Sequence, residues 1–231
     1  NTNTCSFDVV VTDDELPVVT CPTPNAAYTA DAGLCSASLS FAATSTDNCG
    51  LTTTVYSVSG TSITFPYAFP VGPTTVDVTV TDIHSNTATC SFDVLVQDNE
   101  APTLAGCPTN ITQPNYLGDC TATVTWVEPT ATDNCTPSGD LIWDKSHVPG
   151  DVFPVGTTTV TYTASDAAIY TSSGAGGNIS GVCSFTVTVE DTELPVIVDC
   201  PSNITQVNDV DNCSATVTWV EPTATDNCTP S

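Results

Sequence analysis

Residues 122–138 read ATVTWVEPTATDNCTPS, and the same seventeen letters recur at residues 215–231. In the first five letters, Ala122, Val124 and Trp126 alternate with threonine. A period of two predicts a β-strand with one buried face, because successive side chains of a strand point to opposite sides of the sheet. The repetition of the whole stretch indicates that the chain is built from repeated units, each of which contains this strand.

The same alternation occurs in two further segments of each unit. It runs through GTTTVTYTASD at 156–166 and CSFTVTVED at 183–191, with equivalents around Val76–Val80 and Phe92–Val96. No segment has a helical period of 3.6 residues. Several short strands separated by Gly, Pro and Asp-Asn turns predict an all-β fold of tandem immunoglobulin-like β-sandwich domains. In that fold Trp126 and Trp219 are expected to anchor the cores; the alternative is that they are exposed recognition aromatics.

Cysteine spacing sets the length of the unit. The sequence CP recurs at Cys21, Cys107 and Cys200, which are 86 and 93 residues apart. A period of this length is that of whole domains rather than of a solenoid. The predicted domains are the C-terminal strand of a preceding repeat at 1–16, complete repeats at 17–98 and 99–190, the second with a loop insertion at 167–182, and the N-terminal part of a further repeat at 191–231, all within a longer tandem array.

The charge composition excludes several classes of function. The chain has 26 acidic residues and one basic side chain, Lys145, for a formal charge of −25. Phosphate recognition depends on Arg and Lys, so nucleic acid and anionic membranes are not expected partners. No apolar run approaches the length of a membrane span, so no membrane insertion is expected. Twelve cysteines without a C-x-x-C pair predict disulfides and therefore an extracellular location, secreted or at the cell surface.

The order of motifs resembles the hyalin repeat (HYR) domain. The order is CP…C-x-A-x-V…DNC…FPVG-T-T-x-V-x-Y-x-A-x-D…CSF-x-V-x-V-x-D, and it covers both complete and both partial repeats. The resemblance implies an immunoglobulin-like sandwich, tandem extracellular arrays, association with cell adhesion and no catalytic activity. The chain departs from the family pattern where Val78 replaces the tyrosine found at Tyr162, and where the 167–182 insertion lengthens a loop.

Each complete repeat has four cysteines, which allow three connectivities. The first cysteine precedes the opening strand and the fourth opens the last strand, and these strands can lie side by side in such a sandwich. The favoured pairs are therefore Cys21–Cys90, Cys107–Cys183, Cys35–Cys49, Cys120–Cys135 and Cys213–Cys228, with Cys5 and Cys200 pairing outside these residues. A rival scheme pairs the third cysteine with the fourth and leaves the others for a bridge between domains, such as Cys120–Cys200.

The acidic residues concentrate at three features of each repeat: the linker, the loop after the Trp strand and the loop before the last strand. We expect these features to converge at one end of each sandwich, where hard oxygen ligands suit Ca²⁺. The alternative is that they are solvated turn residues. The candidate ligands are Asp13, Asp14, Glu15, Asp47, Asn48, Asp82, Asp98, Asn99, Glu100, Asp133, Asn134, Asp166, Asp191, Glu193, Asp226 and Asn227.

These features predict an extracellular structural or adhesive protein, a disulfide- and Ca²⁺-stabilised rod or filament that self-associates through its repeats. One alternative is a glycan- or receptor-binding module that uses Ile169 and Tyr170 of the insertion to bind a cell-surface ligand. Another is a non-catalytic spacer of a larger secreted protein. Neither enzymatic activity nor an organic cofactor is expected. Sequons at Asn110, Asn178 and Asn203 are possible glycosylation sites.

Overall fold

A computed structural model of the chain describes residues 1–166 and 177–228. Within these residues the regular secondary structure consists of β-strands, and no helix is present. The described part of the chain contains no helix with the length and apolar character needed to cross a membrane. The chain forms two compact units. Unit 1 comprises Asn1–Thr103, Ala131–Ile142 and Ala164–Ser180, and unit 2 comprises Leu104–Thr130, Trp143–Thr163 and Gly181–Ser231.

Nineteen strands occur in the described residues. The first nine are β1 (Val18–Thr20), β2 (Tyr28–Thr29), β3 (Ser36–Leu39), β4 (Thr44–Thr46), β5 (Leu51–Val58), β6 (Thr61–Ile63), β7 (Tyr67–Pro70), β8 (Gly72–Asp82) and β9 (Thr87–Gln97). The others are β10 (Thr103–Ala105), β11 (Ile111–Pro114), β12 (Thr121–Thr123), β13 (Thr130–Thr132), β14 (Ile142–Lys145), β15 (Val152–Pro154), β16 (Gly156–Ser165), β17 (Cys183–Glu190), β18 (Val196–Val198) and β19 (Thr223–Thr225).

Unit 1 is organised around a five-stranded sheet with the order β2-β9-β8-β5-β6. β8 and β9 are antiparallel neighbours with Val76 opposite Phe92, whereas β2 joins the edge of β9 in parallel. The apolar face of this sheet packs against residues of the antiparallel pair β3-β7, and the pair β1-β4 lies beside them. The buried residues of this core are Ala37, Phe69, Val76, Val78, Val80, Phe92, Val94 and Val96.

Unit 2 repeats this arrangement. The sheet order is β11-β17-β16-β14, with β17 antiparallel to β16 and parallel to β11. The pair β12-β15 supplies the opposite layer. The buried residues of this core are Ala122, Val124, Phe153, Val160, Tyr162, Cys183, Phe185, Val187 and Val189. The alternation of apolar and threonine residues is therefore confirmed as the pattern of a sandwich core, because the apolar members face inward.

Two expected features are not formed. Trp126 packs against the core and donates from Nε1 to the Tyr162 hydroxyl at 2.8 Å, whereas Trp219 is 60% exposed. Trp126 is covered by Phe153 and Phe185, and the residues around Trp219 have no counterparts of these rings. Residues 1–16, where the last strand of a preceding repeat was expected, contain no strand in the structure.

Candidate functional site

Three carboxylates of unit 1 come together at the ends of strands. Asp98 follows β9, Asp133 follows β13 and Asp166 follows β16, and one oxygen of each lies within 4.8 Å of the others. Asp98 and Asp166 are only 4% and 2% exposed. We call Asp98, Asp133 and Asp166 the first triad. The linker and the two loops predicted to converge are therefore adjacent in the structure.

Short turns hold the first triad in place. Asp166 accepts the Asn178 backbone N–H at 2.7 Å and the Asn178 side-chain amide at 2.8 Å. Asp133 Oδ1 accepts the backbone N–H groups of Cys135 and Thr136 at 3.0 and 2.8 Å, but its Oδ2 is buried without a hydrogen-bond partner. A buried polar atom of this kind is costly unless something binds it. A cation coordinated by the triad would satisfy the orphaned oxygen.

The electrostatics of the first triad also fit a cation. Burial raises the pKa of Asp98, and the charges of Asp133 and Asp166 raise it further, while hydrogen bonds from Glu100 and Asn134 act in the opposite direction. Because the oxygens lie within 4.8 Å of one another, each charged pair repels by at least about 3 kcal/mol at an effective dielectric of about 20. A divalent cation would replace this repulsion with attraction. Oxygen-only donors match Ca²⁺ rather than a metal that prefers nitrogen or sulfur.

A second triad occupies the equivalent positions nearer the N-terminus of the same unit. Asp13, Asp47 and Asp82 also bring oxygens within 4.8 Å of one another. The Asp13 side chain is 6% exposed; its Oδ2, like Asp47 Oδ2, has no hydrogen-bond partner, although His84 Nδ1 lies 3.3 Å from it. Burial acts to raise the pKa of Asp82, but hydrogen bonds from Asn86 and His84 outweigh it, so this pKa lies below its ordinary value. His84 was not among the predicted ligands.

The equivalent carboxylates of unit 2 form a smaller group. Asp191 and Asp226 lie together with Cys228, and Asp191 is exposed. Each of the two aspartates accepts a backbone N–H two residues ahead, from Glu193 at 3.1 Å and Cys228 at 2.8 Å. Cys228 is disulfide-bonded, so its sulfur is not a thiolate ligand. This group therefore offers two carboxylates where each triad offers three.

Other predicted ligands make hydrogen bonds outside the triads. Glu100 accepts the Gly33 backbone N–H at 2.9 Å, and Glu193 likewise accepts the Gly118 N–H. Asn134 donates to the Leu34 carbonyl at 3.0 Å, and Asn227 to the Asp119 carbonyl at 3.4 Å. These side chains bind loops of the preceding repeat. The remaining four predicted ligands also lie outside the triads. Asn99 donates to Thr29, Asn48 donates to Glu15, and Asp14 is exposed beside Asp13.

The disulfides agree with part of the expected connectivity. Cys21–Cys90 and Cys107–Cys183 are bonded, so the first and fourth cysteines of each complete repeat pair. The predictions Cys35–Cys49, Cys120–Cys135 and Cys213–Cys228 are wrong. Cys35 is bonded to Cys135, and Cys120 to Cys228.

The corrected bonds link the second cysteine of one repeat to the third cysteine of the next. The reason lies in the TDNC turn, in which Asn134 already holds the loop that carries Cys35 and so places Cys135 beside it. The rival pair Cys120–Cys200 is also not formed, since Cys120 is bonded to Cys228. Cys5, Cys49, Cys200 and Cys213 are free and exposed.

Asn178 does not fit the expectation of a glycan. It is 8% exposed and its side-chain amide donates to Asp166 and to the Asp98 carbonyl. A side chain that is enclosed in this way has no room for a sugar. Asn110 and Asn203 are exposed, and both stay predictions. Ile169 and Tyr170, the proposed recognition contacts, lie outside the described residues.

Three comparisons place the chain among known proteins. The family model described as the HYR domain matches residues 12–96, 97–189 and 190–230. The chain is 36% identical to Hyalin of Strongylocentrotus purpuratus over 230 residues, which is 96% of the chain and 18% of that protein. It is 33% identical to Hyalin of Lytechinus variegatus over 226 residues, 96% of the chain and 40% of that protein. The chain therefore spans less than half the length of each of these relatives.

The solved structures that match the chain are less similar in sequence. Human protocadherin-24 EC1-2 is 12% identical with a TM-score of 0.36, and the match covers 77% of this chain and all of that one. The fibronectin(III)-like modules of Clostridium thermocellum CbhA are 16% identical with a TM-score of 0.29, covering 75% of this chain and 95% of that one.

Proposed function

The chain belongs to the HYR domain family, and from this membership we propose that it is an extracellular structural and adhesive protein whose consecutive repeats are locked together by disulfides and Ca²⁺. The role requires no chemistry on a substrate; it requires that repeats keep a stable connection outside the cell. Two relatives are named Hyalin. A chain that repeats one module presents the same surface several times, and repeated contacts of this kind favour self-association into filaments.

The observation that carries this proposal is the TDNC turn at residues 132–135. Three successive side chains of this turn act on three different partners: Asp133 belongs to the first triad, Asn134 donates to the Leu34 carbonyl, and Cys135 is bonded to Cys35. One short loop thus combines a candidate cation site with a covalent and a hydrogen-bonded attachment to the preceding repeat.

Ca²⁺ is the ion that this chemistry favours. Its preference for six to eight oxygen ligands in flexible geometry suits carboxylates supplemented by water or carbonyl groups. Mg²⁺ demands near-octahedral geometry and gives up its water reluctantly. Asp98, Asp133 and Asp166 would hold the ion, and the orphaned Asp133 Oδ2 supports this assignment.

Thermal unfolding with and without Ca²⁺ tests the cation site. A ligand at 100 times its Kd stabilises the folded state by about 2.7 kcal/mol per site. We expect Ca²⁺ to raise the Tm, excess chelator to reverse the rise, and Asp133→Asn to remove part of it. Asp144→Asn is the matched control, because Asp144 is exposed and lies outside both triads. If the Tm of the unaltered chain is the same with and without Ca²⁺, the cation role is excluded.

Electron microscopy of the purified chain in Ca²⁺ tests the assembly role. Fibres with a regular axial repeat are the expected result. Single particles of uniform size at every Ca²⁺ and protein concentration would contradict a filament-forming role while leaving the cation result to stand by itself.

A further inference from the structure

A cavity beside β7 and β8 of unit 1 contains no residue of either triad. Its volume is about 420 Å³, and Val58, Ser59, Tyr67, Thr74 and Asp77 are among the residues that line it. Val58 ends β5, Tyr67 begins β7, and the last two residues belong to β8. We call this cavity the Tyr67 cleft. Its volume lies within the range of about 300 to 1,000 Å³ that is usual for small-molecule sites.

The walls of the Tyr67 cleft come from both layers of the sandwich. β5 and β6 are joined by a two-residue turn at Ser59 and Gly60, whose φ values are 50° and 78°. Two positive φ values in succession are typical of a tight hairpin turn. Because Val58 pairs with Val76, this turn lies beside the first residues of β8. Tyr67 comes from the opposite layer, in which β7 pairs with β3.

Thr74 is the residue that indicates a ligand. It occupies an inward-facing position of β8, in the same alternation as Val76 and Val78. It is 8% exposed, and its hydroxyl makes no hydrogen bond with the residues that the structure describes. An enclosed hydroxyl without a partner is costly, whereas an apolar side chain at this position would carry no such cost. Because Thr74 lines the cleft, a polar occupant of the cleft would satisfy it.

The Tyr67 ring offers a surface that is already held in place. It packs edge-on against Phe69, with ring centroids 4.9 Å apart and an interplanar angle of 80°, and Phe69 is fully buried. Tyr67 itself is half-buried, and its hydroxyl makes no hydrogen bond within the described chain. A ring that is fixed in this way loses little conformational freedom when a ligand packs against it.

The chemical groups of the cleft disfavour most classes of ligand. Ser59, Tyr67 and Thr74 supply hydroxyl groups that can donate and accept, and Asp77 supplies one carboxylate. An anion would meet this carboxylate and no cationic side chain, because the one basic residue, Lys145, belongs to unit 2. A purely apolar ligand would leave the Thr74 hydroxyl unpaired. A neutral ligand with several hydroxyl groups and one apolar face satisfies all of these groups.

We propose that the Tyr67 cleft binds a neutral sugar unit of a glycan. The C–H face of the sugar packs on the Tyr67 ring, which provides apolar aromatic surface. Asp77 accepts hydrogen bonds from sugar hydroxyl groups, and these bonds are charge-assisted. Thr74 exchanges a further hydrogen bond with the sugar. The cleft is separate from the proposed function, because none of its lining residues belongs to a triad or is a cysteine.

The second complete repeat lacks the elements that build the cleft. When the repeats are aligned on their FPVG motifs, Tyr67 corresponds to Asp151 and Thr74 to Thr158. Thr158 is half-buried, whereas Thr74 is buried. In the part of unit 2 that the structure describes, the sheet ends at β14 and has no counterpart of β6. Of the two complete repeats, the first therefore combines the hairpin, the ring and the enclosed hydroxyl.

Titration of simple sugars into the ¹⁵N-labelled chain tests the proposal by NMR. The probes are the methyl glycosides of glucose, galactose, mannose and N-acetylglucosamine at millimolar concentrations. At least one of them is expected to shift the amide resonances of Ser59, Thr74 and Asp77 in a saturable manner. N-acetylneuraminic acid carries a carboxylate and is expected not to bind. All titrations are made in chelator, so a failure of the Ca²⁺ role would leave their result unaffected.

Two variants assign the binding to the cleft. Tyr67→Ala is expected to weaken the affinity about tenfold, because the aromatic packing is lost. Tyr116→Ala is the matched control, since Tyr116 is 50% exposed and does not line the cleft. Asp77→Asn is expected to weaken the affinity about threefold, because charge-assisted hydrogen bonds become neutral ones. Asp144→Asn is the control for this change and is expected to bind like the unaltered chain.

The sugar site is overturned if none of the four glycosides shifts the cleft resonances, if the shifts lie elsewhere, or if both variants keep full affinity. Should Tyr67→Ala fail to fold, Asp77→Asn decides, because Asp77 is exposed. The amide of N-acetylarginine serves as a probe for a basic side chain of a protein partner. If it shifts the cleft resonances and no glycoside does, the cleft binds a cation and the sugar assignment is wrong.

Discussion

The two triads of unit 1 have the same carboxylates and different surroundings. Around Asp133, the TDNC turn holds the loop at residues 31–36 through Asn134 and Cys135. Around Asp47, no equivalent loop among the described residues binds the turn, and Asn48 donates to Glu15. Both groups of three aspartates form nevertheless. The comparison shows that the carboxylate cluster is built by a linker and its own repeat, whereas the covalent attachment requires the repeat before it.

The largest expected difference between the two turns is covalent. Cys35→Ser combined with Cys135→Ser opens a bond that spans 100 residues of sequence. By the chain-entropy estimate, loss of such a crosslink costs about 4 to 5 kcal/mol. Cys49→Ser removes a free thiol and is expected to change the free energy of unfolding by less than about 0.5 kcal/mol. Denaturant unfolding under non-reducing conditions measures both. Equal losses would show that the two turns do not differ as described.

The next effect concerns Ca²⁺ and is expected to be alike at the two triads. Asp47→Asn should remove a part of the Ca²⁺-dependent rise in Tm comparable to that removed by Asp133→Asn, because each variant takes one carboxylate from a cluster of three. The amount is about 2.7 kcal/mol per site when Ca²⁺ is at 100 times its Kd. Titration calorimetry of both variants checks the number of sites. If only Asp133→Asn reduces binding, the loop at residues 31–36, which is bound beside Asp133, is part of the cation site.

The smallest effect is a difference in the sign of the pH dependence without Ca²⁺. The pKa of Asp98 is raised from 3.8, so its contribution to stability is present at low pH and is lost as pH rises through the folded-state pKa. The pKa of Asp82 is lowered from 3.8, so its contribution is present above that value and is lost as pH falls through the folded-state pKa. The free energy of unfolding is measured in chelator at pH values on both sides of 3.8 for the unaltered chain, Asp98→Asn and Asp82→Asn. These measurements separate the contributions of Asp98 and Asp82. Variants that change the pH profile in the same direction would contradict the assignment.

Much of this architecture was predictable from local pattern. Alternation over 156–166 and 183–191 predicted β16 and β17, because the burial of every second side chain is a property of the strand itself. The grouping of Asp98, Asp133 and Asp166 followed from acids placed at strand ends that share one edge of the sandwich. The buried position of Asn178 and the orphaned oxygen of Asp133 were not predictable, because they depend on which loops lie above each carboxylate.

Cysteine pairing was the clearest failure of sequence reasoning. Cys35 and Cys49 are close along the chain, and this proximity favours a bond within one repeat. The bond to Cys135 depends instead on a contact through space, in which Glu100 and Asn134 bind the loop around Gly33 and Leu34. The repeated glutamate in each linker and the asparagine in each TDNC turn were the only signals of that contact, and from sequence alone they suggest metal ligands.

The identical stretches at 122–138 and 215–231 separate what sequence determines from what tertiary structure decides. Both form the short strand that leads into the TDNC turn, β13 in the first stretch and β19 in the second. Each of these strands pairs with another short strand, β10 or β18. Only the first forms β12; Val124 is fully buried and Val217 is 37% exposed. β12 exists because β15 pairs with it, and residues 191–228 contain no equivalent of β15. Local sequence determines which side chains share a face, but burial needs a second layer, and only the folded repeat provides that layer.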